Sequence, residues 1–184
     1  MKATKILIVS AIAATLTACI RFDNAYTYKK VKPELRERVK LADVPIDLLN
    51  ATDTVYRVNA NDIKEFAKQH KDVLIHEYLY CCKGKYCANP WAVKKFCEER
   101  GITYCIIYTT YDEIFRLNTP TPKLVIDNDF YDTRWQGECI DRFEKDLMGI
   151  SPKEADYPLY FYFHDGKFVK GYKWYEDIEI IKIN

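Results

Sequence analysis

The fold is decided by residues 73–90, which read VLIHEYLYCCKGKYCANP. The first eight residues are mostly apolar, β-branched or aromatic, which predicts a strand buried on both faces. Three cysteines follow, and Asn89 with Pro90 then supplies a helix N-cap and a first helical residue. The stretch therefore predicts a strand, a loop that carries redox-capable thiols, and a helix.

Strand and helix patterns alternate around this stretch. The predicted elements, in chain order, are a strand at 54–58, a helix at 62–70, the central strand at 72–80, a helix from 90 to 101 and a strand at 102–110. Asn59 or Asn61 caps the first of these helices, and Gly101 ends the second. A β-α-β-α-β order calls for right-handed crossovers and a largely parallel sheet.

The rest of the chain predicts an insertion and a hairpin. Residues 111–156 contain the turn-prone run Thr119-Pro120-Thr121-Pro122, an apolar piece at 123–127 and a helix at about 138–148 that Gly149 ends. Two strand patterns then flank Asp165-Gly166, a pair in which both residues accept positive φ, and this is a strong hairpin signal. A terminal segment at 176–183 fits either a helix or a strand.

The N-terminus predicts export. Residues 1–18 combine a basic start, an apolar run and small residues before Cys19, which is typical of a signal peptide and too short to span a membrane. The run Leu16-Thr17-Ala18-Cys19 resembles the lipobox of bacterial lipoproteins. This resemblance implies cleavage before Cys19, acyl chains such as palmitate on that residue, and attachment to a membrane by lipid alone. An ordinary secretory signal with a coincidental cysteine is the alternative.

The lipobox resemblance also implies a location and a domain limit. Ile20 stands where an aspartate would favour the inner membrane, so the chain is expected in the bacterial cell envelope, on the outer membrane and facing the periplasm. Residues 19–50 are polar and predict a lipidated tether and N-terminal extension, with a short helix at 34–41. Residues 51–184 predict one domain, and the composition of the whole chain, 48% hydrophobic and 15% aromatic, supplies ample core material.

From residue 54 to residue 172 the order of elements resembles the thioredoxin fold, with the insertion at about 111–156. Pro90 matches a proline that this family carries early in the helix after its cysteines. Pro158 matches a proline that precedes the hairpin in the cis form, and Gly171 matches a glycine at the end of the hairpin. The resemblance implies an α/β, thioredoxin-like β-α-β-α-β-(insertion)-α-β-β fold, in which helices flank a central mixed sheet.

The same resemblance implies thiol–disulfide exchange with envelope proteins that carry thiols or disulfides. Counted back from Pro90, Cys82 falls where the attacking cysteine would be, and Cys87 is then the resolving cysteine. Cys81 is the competing assignment. The motif departs from the family, because four residues rather than two separate Cys82 from Cys87, and the family's resolving position falls on Lys85.

Four further residues acquire expected roles from the resemblance. His76 stands about where the family buries an acidic residue that moves protons for the resolving cysteine, and Glu77 is adjacent. A hydrogen-bonded core histidine is the plainer interpretation of His76. Tyr157 and Pro158 would present backbone groups to an extended substrate.

The remaining cysteines are expected in an oxidising compartment. Apart from Cys19, six of the seven cysteines remain, an even number that permits several disulfide connectivities and selects none. Cys97 lies on the apolar face of a predicted helix and Cys105 lies in a predicted buried strand, so both are expected to be core residues. Cys139, at a helix start, is the one of these three that is expected to be bonded.

The alternative function is a non-catalytic thioredoxin-fold lipoprotein, whose structural disulfides staple the domain and whose surface binds an envelope partner. The balance of 28 basic and 27 acidic residues, with no glycine-rich phosphate loop, predicts no nucleic-acid partner and no cofactor. Three cysteines within seven residues, together with His76, could bind Cu(I), which is the alternative metal hypothesis. The cysteine spacing matches no zinc pattern, and we expect no metal site.

Overall fold

The computed structural model describes residues 27–50, 53–78, 88–111, 113–133 and 135–181. Within these ranges the chain forms seven strands, five α-helices and two short 3-10 helices, at Tyr28–Lys30 and Ile46–Leu48. The strands are β1 (Val39–Leu41), β2 (Val55–Val58), β3 (Asp72–Tyr78), β4 (Thr103–Tyr108), β5 (Lys123–Ile126), β6 (Tyr160–His164) and β7 (Lys167–Tyr172). The helices are α1 (Pro33–Arg36), α2 (Ala60–Lys68), α3 (Pro90–Glu99), α4 (Gln136–Met148) and α5 (Tyr175–Ile178).

The strands belong to one mixed sheet, in the order β1-β2-β5-β4-β3-β6-β7. The five strands β1, β2, β5, β4 and β3 are parallel, whereas β6 runs antiparallel to β3 and β7 antiparallel to β6. The predicted α/β class with a central mixed sheet is therefore confirmed. Because parallel strands end on the same side of a sheet, a carboxyl edge forms from the last residues of four of them: Val58, Ile126, Tyr108 and Tyr78.

Two apolar layers cover the sheet, one on each face. The first layer lies against α2 and α4, whose contributions include Ile63, Phe66, Phe143 and Leu147. The second layer lies against α3 and α5, whose contributions include Val93, Phe96, Cys97 and Ile178. The N-terminal segment adds Val31 to this second layer, and so packs on the domain. Each face of the sheet is thus closed by helices.

Strand β3 runs through the centre of the sheet and divides its side chains between the two layers. Val73 and Ile75 belong to the layer of α4, and Leu74 belongs to the layer of α3. Successive side chains of a strand point to opposite faces. This alternation assigns Glu77 to the face of α4 and His76 to the face of α3.

Local sequence signals account for the ends of the elements. Asn59 caps α2 by accepting a hydrogen bond from the backbone N–H of Asn61, and Asp62 completes a capping box. Gly149 ends α4 with a φ of 76°, in the left-handed region that favours glycine. At the tip of the β6–β7 hairpin, Asp165 and Gly166 both take positive φ, as the sequence predicts.

The predicted helix at 34–41 is wrong beyond its first turn. The helix α1 ends at Arg36, and Val39–Leu41 instead forms β1, which adds a parallel edge strand beside β2. The backbone N–H of Val55 donates to the carbonyl of Arg38 at 2.8 Å, which begins this pairing. Residues 39–41 form their backbone hydrogen bonds with β2 instead of within a helix. Local helix propensity does not include such pairing, so the sequence pattern predicted a longer helix.

The insertion contributes to the centre of the sheet rather than to its surface. Strand β5 lies between β2 and β4 and is parallel to both, although the sequence indicated only an apolar piece there. All four of its residues are buried. The helix α4 that follows confirms the predicted helix at about 138–148, with a start two residues earlier. At the C-terminus, the start of the ambiguous segment belongs to the short helix α5, which ends at Ile178.

Candidate functional site

The predicted cysteine site lies between the end of β3 and the start of α3. Cys81, Cys82 and Cys87 fall outside the described residues, as does Cys19. The described residues that flank this stretch are Tyr78, at the carboxyl edge of the sheet, and Ala88, just before α3.

The helix that follows the cysteines begins as the sequence predicts. The side chain of Asn89 accepts a hydrogen bond from the backbone N–H of Trp91 at 2.9 Å, and Pro90 is the first helical residue. The ten-residue helix α3 is held against the sheet by Val93, Phe96 and Cys97. The N-terminus of a helix carries a partial positive charge, which stabilises a thiolate near it. Cys87 precedes the N-cap by two positions in the chain.

His76 is a buried core histidine, which confirms the plainer interpretation. Its Nδ1 atom lies 2.8 Å from the hydroxyl of Tyr104, and its ring stacks on Tyr160 with centroids 4.6 Å apart. The side chain is 2% exposed, and burial lowers the pKa of His76 to about 3. The imidazole is therefore neutral over the physiological pH range.

Glu77 points to the other face of β3, where a second buried carboxyl group lies on α4. Glu77 and Glu144 are both buried, and the charge of Glu77 contributes to the raised pKa of Glu144. Burial raises the pKa of both groups, and the negative charge of Asp141 raises them further. Among the described residues, the Oε2 atom of Glu77 has no hydrogen-bond partner. A carboxyl in this environment gains and releases protons nearer to neutral pH than an exposed one.

The sequence did not reveal Glu144 as a candidate, although a signal was present. It lies four residues after Ile140 and three before Leu147, so helical periodicity places it on the same face of α4 as these apolar residues. An acidic residue within an apolar stripe predicts a buried carboxyl, and buried carboxyls need a partner. Its electrostatic interaction with Glu77 on β3 depended on the position of the inserted helix.

The segment before β6 lies beside the end of β3. The backbone N–H of Glu77 donates to the carbonyl of Leu159 at 2.8 Å, which brings the residues just before β6 to the carboxyl edge. Tyr157 is 54% exposed and has a positive φ of 50°. The cis prediction for Pro158 is wrong, because the described residues contain no cis peptide bond and the Tyr157–Pro158 bond is trans. The backbone N–H groups of the residues on either side of Pro158 are both hydrogen-bonded: Tyr157 donates to the carbonyl of Pro152 and Leu159 donates to the carbonyl of Tyr172. These bonds hold the segment with a trans peptide bond.

Three cysteines lie in the described part of the chain, and all three are free and buried. The core predictions for Cys97 and Cys105 are confirmed. The prediction that Cys139 is bonded is wrong, since α4 directs this residue into the apolar layer, where its thiol interacts with Asn128. Burial raises the pKa of Cys97 and of Cys139 to about 12. These thiols are protonated and unreactive in the folded protein.

The described residues contain neither a cluster of metal ligands nor a helix that could cross a membrane. Among residues 27–50, 53–78, 88–111, 113–133 and 135–181, no group of three or more His, Cys, Asp or Glu side chains is arranged to hold a metal ion. In the same part of the chain, no helix has the length and apolar character needed to cross a membrane.

Comparisons of the chain with protein-family models, with curated proteins and with solved structures gave no match.

Proposed function

We propose that this chain is a lipid-anchored envelope protein that exchanges disulfides with other envelope proteins through Cys82 and Cys87. The observation that carries the proposal is the buried carboxyl of Glu77, which has a raised pKa, has one oxygen with no hydrogen-bond partner among the described residues, and stands five residues before Cys82 in the chain. Burial of such a carboxyl lowers the stability of the folded protein. A proton-transfer role beside thiols accounts for its presence in the core. The capped N-terminus of α3 follows the same cysteines and favours the thiolate form.

The proposed exchange balances without a cofactor. In the reducing direction, the Cys82 thiolate attacks a substrate disulfide, forms a mixed disulfide and displaces one substrate thiolate, which takes a proton from water. Cys87 then gives its thiol proton to the Glu77 carboxylate, and its thiolate attacks the sulfur of Cys82. The Cys82–Cys87 disulfide forms as the second substrate thiolate leaves. Two electrons pass to the substrate, and the reverse sequence oxidises a substrate dithiol. Cys81 remains the competing assignment for the attacking thiol.

The element order supports a thioredoxin-like fold. Without β1 and β5, the strands and long helices follow the order β-α-β-α-β-α-β-β expected from the resemblance, and the last two strands form the expected hairpin. Strand β5 departs from that expectation because it separates β2 from β4. Tyr157 and Pro158, which lie beside the end of β3, are the proposed contacts for an extended substrate.

Lipid attachment at Cys19 completes the proposal. The lipobox-like run Leu16-Thr17-Ala18-Cys19 supports it, and an outer-membrane anchor would restrict partners to proteins that reach the periplasmic surface of that membrane. Radiolabelled palmitate should be incorporated by the full chain expressed in a bacterium and not by a Cys19→Ala variant. Release of the wild-type protein as a soluble, unlipidated chain would contradict this part of the proposal.

The exchange is tested by trapping the mixed disulfide. Cys87→Ser should accumulate covalent complexes with envelope proteins, because the second step is blocked, whereas Cys82→Ser should accumulate none. Both variants are compared on non-reducing gels after acid quenching. Equal behaviour of the two variants would contradict the assigned roles, and complexes that need Cys81 would transfer the attacking role to that residue.

A redox titration with thiol alkylation separates exchange from the stapling alternative. One cysteine pair should be reduced reversibly in a glutathione series, while the domain stays folded. Cys97, Cys105 and Cys139 serve as internal controls, because their burial should protect them from alkylation until the protein unfolds. Bonds that resist reduction until the domain unfolds would instead favour the non-catalytic lipoprotein with structural disulfides.

A further inference from the structure

The large aromatic side chains that are exposed in the described part of the chain all lie at one edge of the sheet. Each has between 41% and 54% of its surface exposed. They are Trp91, Phe130, Trp135 and Tyr157, and we call them the edge aromatics. Exposed apolar surface that is gathered on one side of a domain marks a contact with another molecule or with a membrane.

The topology places the first two of these side chains at the carboxyl edge. Because β3 and β4 are parallel neighbours, the helix α3 that joins them begins at the carboxyl edge and ends at the opposite, amino edge. Trp91 is in the first turn of this helix. Phe130 comes four residues after β5, and its ring packs on that of Tyr131, whose hydroxyl accepts a hydrogen bond from the backbone of Ala60, just after β2.

The other two are placed at the same edge by the hydrogen bonds of their neighbours. The side-chain amide of Gln136, next to Trp135, donates to the carbonyl of Thr109 at 3.1 Å, directly after β4. Tyr157 lies in the segment before β6 that is hydrogen-bonded to the end of β3. The edge aromatics therefore lie at the ends of the parallel strands.

The N-terminal segment joins the domain at this edge too. The ring of Tyr28 lies 6.3 Å from that of Tyr111, which follows β4. The guanidinium of Arg57, the next-to-last residue of β2, lies 4.8 Å from the centre of the Tyr28 ring. From there the chain crosses to the amino edge, where the carbonyl of Arg38 accepts a hydrogen bond from the first residue of β2. The chain that precedes Tyr28 is thus attached at the carboxyl edge.

The length of that preceding chain limits how the domain can face a membrane. Tyr28 is nine positions after Cys19, and a chain of this length spans at most about 30 Å. A domain of this size is about 40 Å across. With lipid on Cys19, the amino edge cannot turn to the membrane, because Tyr28 would then be out of reach of the anchor. The tether therefore holds the edge aromatics on the side of the bilayer.

Charges of both signs lie beside the edge aromatics. Asp129 is paired with Arg57 at 2.7 Å, and Glu138 is paired with Arg142 at 2.6 Å. Asp132 is exposed and negative, whereas Lys29, Lys30 and Lys32 are exposed and positive. A contact at this edge should therefore depend on the aromatic rings, which favour the headgroup region of a bilayer, more than on the charge of the lipids.

We propose that the edge aromatics form a membrane-contact surface, which docks the domain on the phospholipid headgroups of the bilayer that holds Cys19. A protein partner would cover the same rings, but a bilayer is what the short N-terminal chain brings to them. The proposal rests on the lipid attachment proposed above and adds an orientation to it. Because Tyr78 and Ala88, which flank the cysteine stretch, are at the same edge, the exchange partners would be proteins that present cysteines close to the membrane.

The contact is tested by tryptophan quenching in the full-length, acylated protein, bound to vesicles of phosphatidylethanolamine and phosphatidylglycerol. The acyl chains are brominated near the headgroups in one sample and unmodified in the other, and bromine quenches tryptophans that enter the bilayer. Trp91 and Trp135 are two of the three tryptophans, so the emission should fall about twofold with brominated lipid. The fall should persist at high salt, and its loss there would show that charge, not the rings, makes the contact.

The matched control moves the fluorescent probe to the amino edge and keeps aromatic rings at the carboxyl edge. It is the variant Trp91→Phe/Trp135→Phe/Leu48→Trp. Leu48 is 68% exposed, and its neighbour Asp47 bonds to His70, just after the end of α2 at the amino edge. This variant should be quenched much less than the wild-type protein. Retention of the native near-ultraviolet circular dichroism shows that it is folded.

Mass spectrometry of the same samples reports the acyl chains, so that the two proposals fail separately. An acylated, vesicle-bound protein that is quenched no more than the control variant would overturn the membrane contact and leave the lipid anchor intact. Rings that become shielded only as the protein associates with itself, in sedimentation measurements, would overturn it in favour of an interface between copies. A chain without acyl groups would refute the anchor and, with it, the orientation.

The consequence for exchange has its own measurement. The complexes that Cys87→Ser traps should contain proteins of the membrane fraction. Trapped complexes with soluble periplasmic proteins alone would refute this choice of partner, while the quenching experiment would still decide the membrane contact.

Discussion

The ring of Pro158 lies directly against the backbone of Gly171. A Cβ atom at Gly171 would lie 2.6 Å from the Cβ and 2.7 Å from the Cγ of Pro158, closer than real Cβ contacts come. Gly171 pairs with Phe161 across the hairpin, and Leu159 bonds to the neighbouring Tyr172, so the backbone on both sides is fixed. The absence of a side chain at 171 is what allows Pro158 to sit beside the carboxyl edge.

Replacement of this glycine should therefore destabilise the domain. Gly171→Ala should lower the free energy of unfolding by about 1–3 kcal/mol, the usual cost of forcing an atom into a packed site. Urea unfolding followed by tryptophan fluorescence measures the loss. Gly137→Ala is the control, because a Cβ there meets nothing within 4 Å and lies in the first turn of α4, where alanine should be neutral or mildly stabilising. Equal stability of both variants would mean that Pro158 moves aside without cost.

Asp72 should make the protein less stable at acid pH, through its hydrogen bonds to the hairpin. Its buried Oδ1 accepts hydrogen bonds from the hydroxyl of Tyr162 and from His164, whose Nδ1 atom is 2.7 Å away. Burial alone would raise the pKa of Asp72, but these two bonds and the charge of His164 hold it below its usual value. A lowered folded-state pKa contributes stability that is present above pH about 4 and is lost as the pH falls further.

Asp72→Asn should accordingly cost about 1–3 kcal/mol at pH 7, the range for a disrupted buried hydrogen bond. The difference from wild type should shrink below pH about 4, as Asp72 itself becomes protonated. Asp165→Asn changes the exposed residue that follows His164, and the Asp165 carboxylate lies 3.4 Å from the Nε2 atom of that ring. This variant should change stability little at either pH, because an exposed ion pair contributes little. A wild-type advantage that persists undiminished at pH 2.5 would contradict the proposed origin of the effect.

The sequence predicted those parts of the fold that local signals specify. Caps at Asn59 and Asn89, the Asp165-Gly166 turn and the apolar runs gave the order of the main strands and helices. The sequence did not predict that Val39–Leu41 and Lys123–Ile126 enter the sheet. Both are short strands stabilised by pairing with β2, which is distant along the chain, and a pairing of that kind leaves no local pattern.

The candidate site also has one part that the sequence predicts and one part that it does not. The sequence pattern places His76 and Glu77 in a predicted buried strand, but their expected roles come from the resemblance alone. The interaction of Glu77 with Glu144 needed the three-dimensional position of α4. The cis form of Pro158 was carried over from a resemblance rather than from the residues around it, and those residues hold the bond in trans.

His76 should make the protein less stable as the pH falls below about 6.5. Its pKa is about 3 in the folded protein because of burial, whereas an exposed histidine titrates near 6.5. The unfolded chain therefore binds one more proton between these values, which lowers stability by up to about 1.4 kcal/mol per pH unit. The double variant His76→Phe/Tyr104→Phe removes both hydrogen-bonding groups and should flatten this slope.

The slope is measured by urea unfolding at pH 6.5, 5.5 and 4.5, as the difference between variant and wild type at each pH. His70→Gln is the control, since His70 is partly exposed and bonded to Asp47 at the surface. In that variant the loss of stability that His76 causes between pH 6.5 and pH 4.5 should remain. A double variant that loses stability in parallel with wild type across this range would show that His76 accepts a proton without unfolding.

Glu77 and Glu144 should have the opposite effect, at higher pH. A carboxyl whose folded-state pKa is raised contributes stability that is fully present below the unfolded value, near 4.3, and is lost as the pH rises through the folded value. The wild-type protein should therefore weaken between pH 5 and pH 9. Glu77→Gln/Glu144→Gln cannot ionise, and its stability relative to wild type should rise across this interval by more than about 1 kcal/mol. Asp146→Asn, an exposed change on α4, should show a constant difference from wild type at all pH values. If the double variant also keeps a constant difference, the two carboxyls are ionised in the folded protein no differently from exposed ones.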